Sequence, residues 1–220
     1  MIITYAICVC NESRELYSLI SFLKKVKDED DEINILVDSL HVSNQVKSVL
    51  EYFKNDIVKN ERDFDGKFAT HRNYHFSLCK GDYIFYIDPD EMPQETLIKN
   101  LKSIIASESP DLIYIPRINI MPGLTHNLFE RMKLPMNEMG WINWPDYNGR
   151  IFKNIESIKM ESELHERFKG ADKIIRLEAK PSIALWHIKS VEKQENRWEE
   201  IDDDWKYSMP TTRNLYDSLM

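Results

Sequence analysis

Cysteine is scarce: Cys8, Cys10 and Cys79 are the only three in 220 residues. That is too few to staple a fold with disulfides, so a hydrophobic core must hold it. Glycine is nearly as thin, at six. None stands in CVCNESREL after the first apolar run, where a loop cradling a triphosphate would need it. No apolar run approaches the ~18 residues of a membrane span. The opening MIITYAICVCNES lacks the basic start and small-residue cleavage site of a secretory leader, so a soluble, cytoplasmic chain is expected. Positive charge is not in excess either. Lys plus Arg number 29 against 37 Asp plus Glu, a net charge of −8, which argues against nonspecific nucleic-acid binding. Internal repeats and low-complexity linkers are missing too. What remains is 42% hydrophobic and 11% aromatic, too rich for disorder. At roughly 100–200 residues per domain the length allows one large domain or two small ones, and with no linker or clean boundary residues 1–220 are expected to form a single domain.

MIITYAICVC, rich in β-branched residues, predicts a buried opening strand. Ser13 then caps a helix whose Leu16, Leu19, Ile20 and Leu23 recur at helical spacing. INILVD (33–38) reads as a second strand ending on a carboxylate; Val46, Val49, Leu50 and Phe53 mark a second helix, and DIVK a short third strand. Residues 67–79 predict a third helix, stopped by Lys80-Gly81. YIFYID (83–88) is a further strand, a helix opens at Pro93 with Leu97, Leu101, Ile104 and Ile105 inward, and DLIYIPRINI closes the series. This alternation implies an α/β fold with right-handed crossovers and a mostly parallel sheet carrying helices on both faces. Ligands of such sheets sit outside the carboxyl ends of the strands. Asn11-Glu12, Asp38 and the acids from Asp88 to Glu91 all fall there. Beyond about residue 120 the pattern breaks. MPGLTHNLFERMKLPMNEMG reads as a long loop, a lid or binding segment. Short strand-like pieces follow, NGRIFKN, LHERF, IIRLE and SIALWHIK, giving mixed strands in the carboxy-terminal half. From Ser190 a polar helix carries Trp198, Ile201 and Trp205 along one side, and the acids from Glu199 to Asp204 form a solvated face.

The densest chemistry lies in Gly81-Asp82-Tyr83-Ile84-Phe85-Tyr86-Ile87-Asp88-Pro89-Asp90-Glu91. An apolar strand delivers three carboxylates within four residues to the ligand-bearing edge. Like charges so close repel unless a cation sits among them. A hard divalent ion, Mg2+ or Mn2+, would neutralise them and keep positions open for phosphate oxygens; the same acids could instead favour the dipole of the following helix. In GKFATHRN, Arg72 stands between Phe68 and Phe76 on the inward stripe of its helix. Its guanidinium needs an acceptor there, either an internal acid or a diphosphate. His71, His75 and Cys79 also recur at helical spacing, which suits either zinc or plain packing. Trp144-Pro145-Asp146-Tyr147 sets aromatics beside a carboxylate, as sugar recognition does and as ordinary packing also does. His187, in LWHIKS, is a core histidine unless it reaches the acids at Asp88 and Asp90.

Taken together, from Ile2 to about Arg197, these segments resemble a family 2 glycosyltransferase with the GT-A (Rossmann-like) fold. ICVCNESRELYSLISFL resembles the family's first strand and helix, NILVDS its second strand, and GKFATHRNYHFSLCKGDYIFYIDPDE its Arg-Asn, Gly-Asp and Asp-x-Asp segment. WPDYNGRIFKN and LHERF resemble a subgroup containing lipopolysaccharide-core glucosyltransferases. The resemblance implies a nucleotide-binding half over 1–118, an acceptor and metal half over 119–190, and a helical segment over 191–220. It implies a nucleotide-diphosphate sugar donor, commonly a UDP-sugar such as UDP-glucose, met by Cys10, Asn11, Glu12, Asp38, Lys67, Arg72 and Asp88. Mn2+ or Mg2+ would be held by Asp90 and His187, and a hydroxyl acceptor would attack with inversion. The family's usual Glu-Asp base pair is not found in its expected form, and the nearest carboxylates are Glu166 and then Asp146. The rival readings are a sugar-phosphate nucleotidyltransferase and a non-catalytic nucleotide-sugar-binding module.

Overall fold

The computed structural model describes residues 1–162, 167–188 and 191. In β1 (Ile3–Val9) the strand pleat sends Ile3, Tyr5, Ile7 and Val9 into one core and Ala6 into another on the opposite side. α1 (Ser13–Val26) turns Leu16, Leu19, Ile20 and Leu23 inward, all fully buried. Each such side chain is worth about 1.5–3 kcal/mol relative to exposure. The chain continues through β2 (Glu32–Asp38), α2 (Asn44–Tyr52), β3 (Val58–Arg62), α3 (Phe68–Ser77), β4 (Tyr83–Tyr86), β5 (Glu91–Pro93), α4 (Glu95–Glu108) and β6 (Leu112–Ile120). Its second half adds α5 (His126–Met132), β7 (Ile142–Lys153), β8 (Lys159–Glu161), β9 (Arg167–Lys169), β10 (Ile174–Arg176) and β11 (Leu185–Ile188).

Nine of these strands form one sheet, ordered β3-β2-β1-β4-β7-β6-β11-β5, with β10 joined to β6. β1, β2, β3 and β4 pair in parallel, and β6 pairs in parallel with β10 and β11. β7 runs antiparallel between β4 and β6. The larger core lies where α1, α2 and α4 cover one face. On the other, Ala69 and Phe76 of α3 and Met160 of β8 pack on Ala6, Ile84, Tyr86 and Phe152. Gly81 leads into β4 where a Cβ would stand 2.6 Å from the Thr4 nitrogen and 2.9 Å from the Ile2 oxygen, so only glycine lets the strands meet there. This is the α/β sheet with helices on both faces that the alternation predicts.

Several expectations shift. The third strand is Val58–Arg62 rather than DIVK; as the sheet's outer edge it keeps a polar sequence that apolar patterning does not flag. Ser13 does not cap α1, because Glu12 holds the cap position without a side-chain bond into the helix. Pro93 does not open a helix. It ends β5, paired with Leu185, and α4 begins two residues later; an edge strand tolerates a residue with no N–H to donate. DLIYIPRINI forms β6 but does not neighbour β4, since β7 intervenes. The long loop contains α5, capped by Thr125 accepting from the Leu128 N–H at 3.2 Å. The first residues of LHERF and, apart from residue 191, the helix expected from Ser190, including Trp198, Ile201 and Trp205, lie outside the described residues.

Candidate active site

The carboxyl ends of β1, β2 and β4 open on one edge of the sheet. After β1, the Glu12 carboxylate turns back to accept from the backbone N–H groups of Cys10 (3.2 Å) and Asn11 (3.0 Å). Cys10 is half-buried with its Sγ 3.4 Å from the His41 carbonyl, and Asn11 is exposed. Asp38 ends β2, buried. It accepts from the N–H groups of Leu40 (3.1 Å) and Phe64 (3.2 Å) and lies 2.7 Å from Nδ1 of His41. One carboxylate thereby ties the loop after β2 to the loop after β3. Lys67 is exposed at the start of α3.

After β4 the acids gather cations. Asp88 meets Nη2 of Arg72 at 3.3 Å and Nη2 of Arg150 at 2.9 Å, and accepts from the Tyr86 hydroxyl. Both guanidiniums also lie near the Tyr86 ring, at 4.5 and 4.6 Å from its centroid. Burial opposes ionisation of Asp88, but Arg150 and Arg72 outweigh it and hold the carboxyl well below the usual carboxylate range. Glu91, fully buried, accepts from Arg150, from Arg117 Nη1 (3.1 Å) and from the Asp88 N–H (3.1 Å). Of the two kinds of acceptor open to Arg72, an internal acid is present in Asp88. Nε of Arg150 is buried with no partner among the described residues.

The remaining candidates meet across three adjacent strands. Arg117 of β6 grips Oδ2 of Asp146 of β7 through Nε (2.9 Å) and Nη2 (2.7 Å). Asn119 of β6 donates to the same oxygen at 3.0 Å. Its own Oδ1 lies 2.9 Å from Nδ1 of His187 on β11, and Nε2 of that ring is 3.7 Å from Oδ2 of Asp90. Burial disfavours the Asp146 anion, yet Arg117 and Asn119 hold its carboxyl below the ordinary range. Asp88, Asp90, Asp146, Arg72 and His187 thus share one network, whereas Asp38 and Glu12 serve the loops beside it. Glu166 lies outside the described residues.

Arg117, Arg150 and Asn119 have no role assigned from sequence, although a signal was there. Arg117 and Asn119 interrupt LIYIPRINI at alternate positions, and Arg150 opens RIFK; a cation in so apolar a strand demands a buried acid. His75 and Cys79 pack rather than form a metal set. His75 is fully buried, 3.4 Å from the Cys8 Sγ and 3.1 Å from Oδ1 of Asn34, and burial drives its pKa down to about 3. Trp144 does join an aromatic group, 5.3 Å from Trp141, which lies 6.0 Å from Trp186.

Among the described residues no group of three or more His, Cys, Asp and Glu gathers around one point. A closed zinc-type cage is therefore not built from them. A carboxylate and an imidazole nitrogen 3.7 Å apart do suit an ion that takes one or two protein ligands and completes its shell with water and phosphate oxygens. No helix among the described residues is long and apolar enough to cross a membrane.

No curated protein matches the chain. Among solved structures, Staphylococcus aureus TarS 1–349 in complex with UDP-GlcNAc is similar with a TM-score of 0.57 at 13% identity, over 86% of this chain and 59% of that one. The same TarS piece in complex with UDP gives 0.57 at 13%, over 97% and 74%. A further TarS structure gives 0.57 at 13%, over 91% and 40%. The chain thus spans 40–74% of the length of these TarS chains, and at such identity they speak for the fold. The family model described as Glycosyl transferase family 2 matches residues 4–159, from within β1 to the first residue of β8. Most of the sheet and the acids at its edge fall inside that match: the chain has the GT-A fold and belongs to glycosyl transferase family 2, a family of glycosyltransferase enzymes.

Proposed function

We propose that this chain moves a sugar from a nucleotide-diphosphate donor to a hydroxyl acceptor, inverting the anomeric carbon in a single displacement with Mn2+ or Mg2+ bound. The observation that carries the reading is the approach of Asp90 to His187 beside the Arg72–Asp88 pair, at the carboxyl edge of the sheet. TarS, which shares the fold, has been captured with UDP-GlcNAc and with UDP. The likeness of WPDYNGRIFKN to lipopolysaccharide-core glucosyltransferases adds glucose to the donors worth trying first.

Each residue then has work it is suited to. Asp90 and His187 would hold the ion, which when bound supplies Lewis-acid stabilisation of the departing diphosphate. Arg72 sits on the rim with 19% of its side chain exposed, and its planar fork suits diphosphate oxygens. Asp88, kept ionised by Arg150 and Arg72, orients Arg72 and faces the ribose. Asp38, Lys67 and the Cys10-Asn11-Glu12 turn line the nucleotide side, and the turn is held rigid by the Glu12 carboxylate. Glu166 is the proposed base that takes the acceptor's proton. Asp146 suits that task less, since Arg117 and Asn119 engage its Oδ2 and lower its basicity. The tryptophans at 141, 144 and 186 offer ring faces to an acceptor sugar.

The test is release of the free nucleoside diphosphate from UDP-, GDP- and dTDP-sugars, with Mn2+ and then with EDTA. Metal-dependent release from one donor, lost in Asp90→Ala while thermal melting is unchanged, is expected. Tight donor binding with no turnover in the presence of acceptor sugars would favour the binding module; sugar-phosphate-dependent consumption of a nucleoside triphosphate would favour the nucleotidyltransferase.

A further inference from the structure

We infer that Asn119 and Asp146 are positioning residues that set the ring of His187, so that Nδ1 keeps its proton and Nε2 is turned, as an acceptor, toward Asp90. The inference follows from which atoms can donate. Nδ2 of Asn119 lies 3.0 Å from an Asp146 carboxylate oxygen and 3.3 Å from the Ile142 carbonyl. Neither can donate, so that end of the amide is the NH2 and the other is the oxygen. The oxygen sits 2.9 Å from Nδ1 of His187 and can only accept, so Nδ1 must carry the hydrogen. In the neutral ring the lone pair is then on Nε2, the nitrogen 3.7 Å from Asp90.

Strand register builds the relay. Arg117 lies opposite Asp146 across β6 and β7, and Asn119 lies beside His187 across β6 and β11. Arg117 completes it from behind, because its two bonds to Oδ2 keep Asp146 ionised and hence an acceptor only. Asn119 and His187 are both buried, at 4% exposure each, so water does not compete for these bonds. Outer partners of this kind fix ligand tautomer and orientation in metal sites. The tautomer itself does not depend on metal; its use as a ligand rests on the function proposed above.

The test uses the full chain, 15N-labelled and metal-free, in mildly alkaline buffer. Long-range proton–nitrogen correlation reads the two ring nitrogens of His187 directly. Expected is a protonated Nδ1 and a bare Nε2, the reverse of the form free imidazole side chains favour. Asn119→Ala should return the ring toward that form. Asp146→Asn, which can present either an oxygen or an NH2 to Asn119, should give a mixture and serves if Asn119→Ala fails to fold by circular dichroism. Mn2+ affinity, followed by water-proton relaxation, should fall about 10–100-fold in either variant. A bare Nδ1 in the unmodified chain, or a ring unmoved by both variants, overturns the relay. A protonated Nδ1 with no Mn2+ binding upholds the relay and refutes the metal reading instead.

Discussion

Arg150 is the cation on which the acids after β4 most depend, and removing it should unfold the chain more readily at neutral than at acid pH. Its Nη2 lies 2.9 Å from Asp88 and also bonds Glu91. At an effective dielectric constant of about 20, two unit charges at 2.9 Å attract by about 6 kcal/mol. Much of that is offset by the desolvation of both groups, and breaking such a pair from one side costs about 3–5 kcal/mol. Asp88 keeps Arg72 and the Tyr86 hydroxyl, and Glu91 keeps Arg117, so the lower end, about 3 kcal/mol, is expected for Arg150→Met. In urea this lowers the midpoint by about 1–2 M. The pH dependence follows from Asp88. Its folded carboxyl lies below the unfolded value, near 3.9, so the stability it contributes is present above about pH 4 and is lost only at still lower pH. Without Arg150, burial meets less opposition and the folded carboxyl moves up toward the unfolded value or past it, so the variant has less of this stability to lose on acidification and protonation relieves its uncompensated charge. The gap between the two proteins should therefore be largest near pH 7 and narrow toward about pH 4. Adding Glu91→Gln to the variant should recover part of the loss, about 1 kcal/mol or more. A deficit below about 1 kcal/mol, or one equal at both pH values, would refute the account of this network.

His75 should shape the acid limb of the stability curve. Its folded pKa of about 3 lies under the unfolded value of about 6.5, so the unfolded chain takes up a proton first and stability from this group falls by about 1.4 kcal/mol per pH unit below about 6.5. His75→Leu, though less stable at neutral pH, should show a shallower fall in urea titrations between about pH 6 and 4; parallel slopes would count against a neutral buried imidazole. Gly81→Ala should cost about 1–3 kcal/mol by forcing β1 and the start of β4 apart, and an unchanged thermal midpoint would show that the strands give way freely.

How much of this was legible in the sequence depended on distance along the chain. β1, β2 and β4 read plainly, because apolar residues on both faces announce a covered strand, and α1 and α4 read from the spacing of their leucines and isoleucines. β5 did not. Three residues pair with β11 more than ninety positions later, and locally Pro93 looks like a helix start. The acids at Asp88, Asp90 and Glu91 were visible as a run, but their partners Arg117 and Arg150 sit on strands whose neighbours only the folded sheet decides. Asp146 stood out by its aromatic neighbours, whereas what it touches is the polar alternation of Arg117 and Asn119 on the next strand.

The insertion of β7 between β4 and β6 bears on how the chain is made. Tyr83, Ile84, Phe85 and Tyr86 are all buried, yet one side of their strand has no neighbour until Lys153 has left the ribosome, an interval of several seconds at roughly 5–20 residues per second. Over that time the nascent amino-terminal half carries a bare, apolar sheet edge of the kind that recruits other chains. Slow translation through residues 87–141 would prolong the exposure, and a chaperone that shelters extended apolar segments would be needed most in that window.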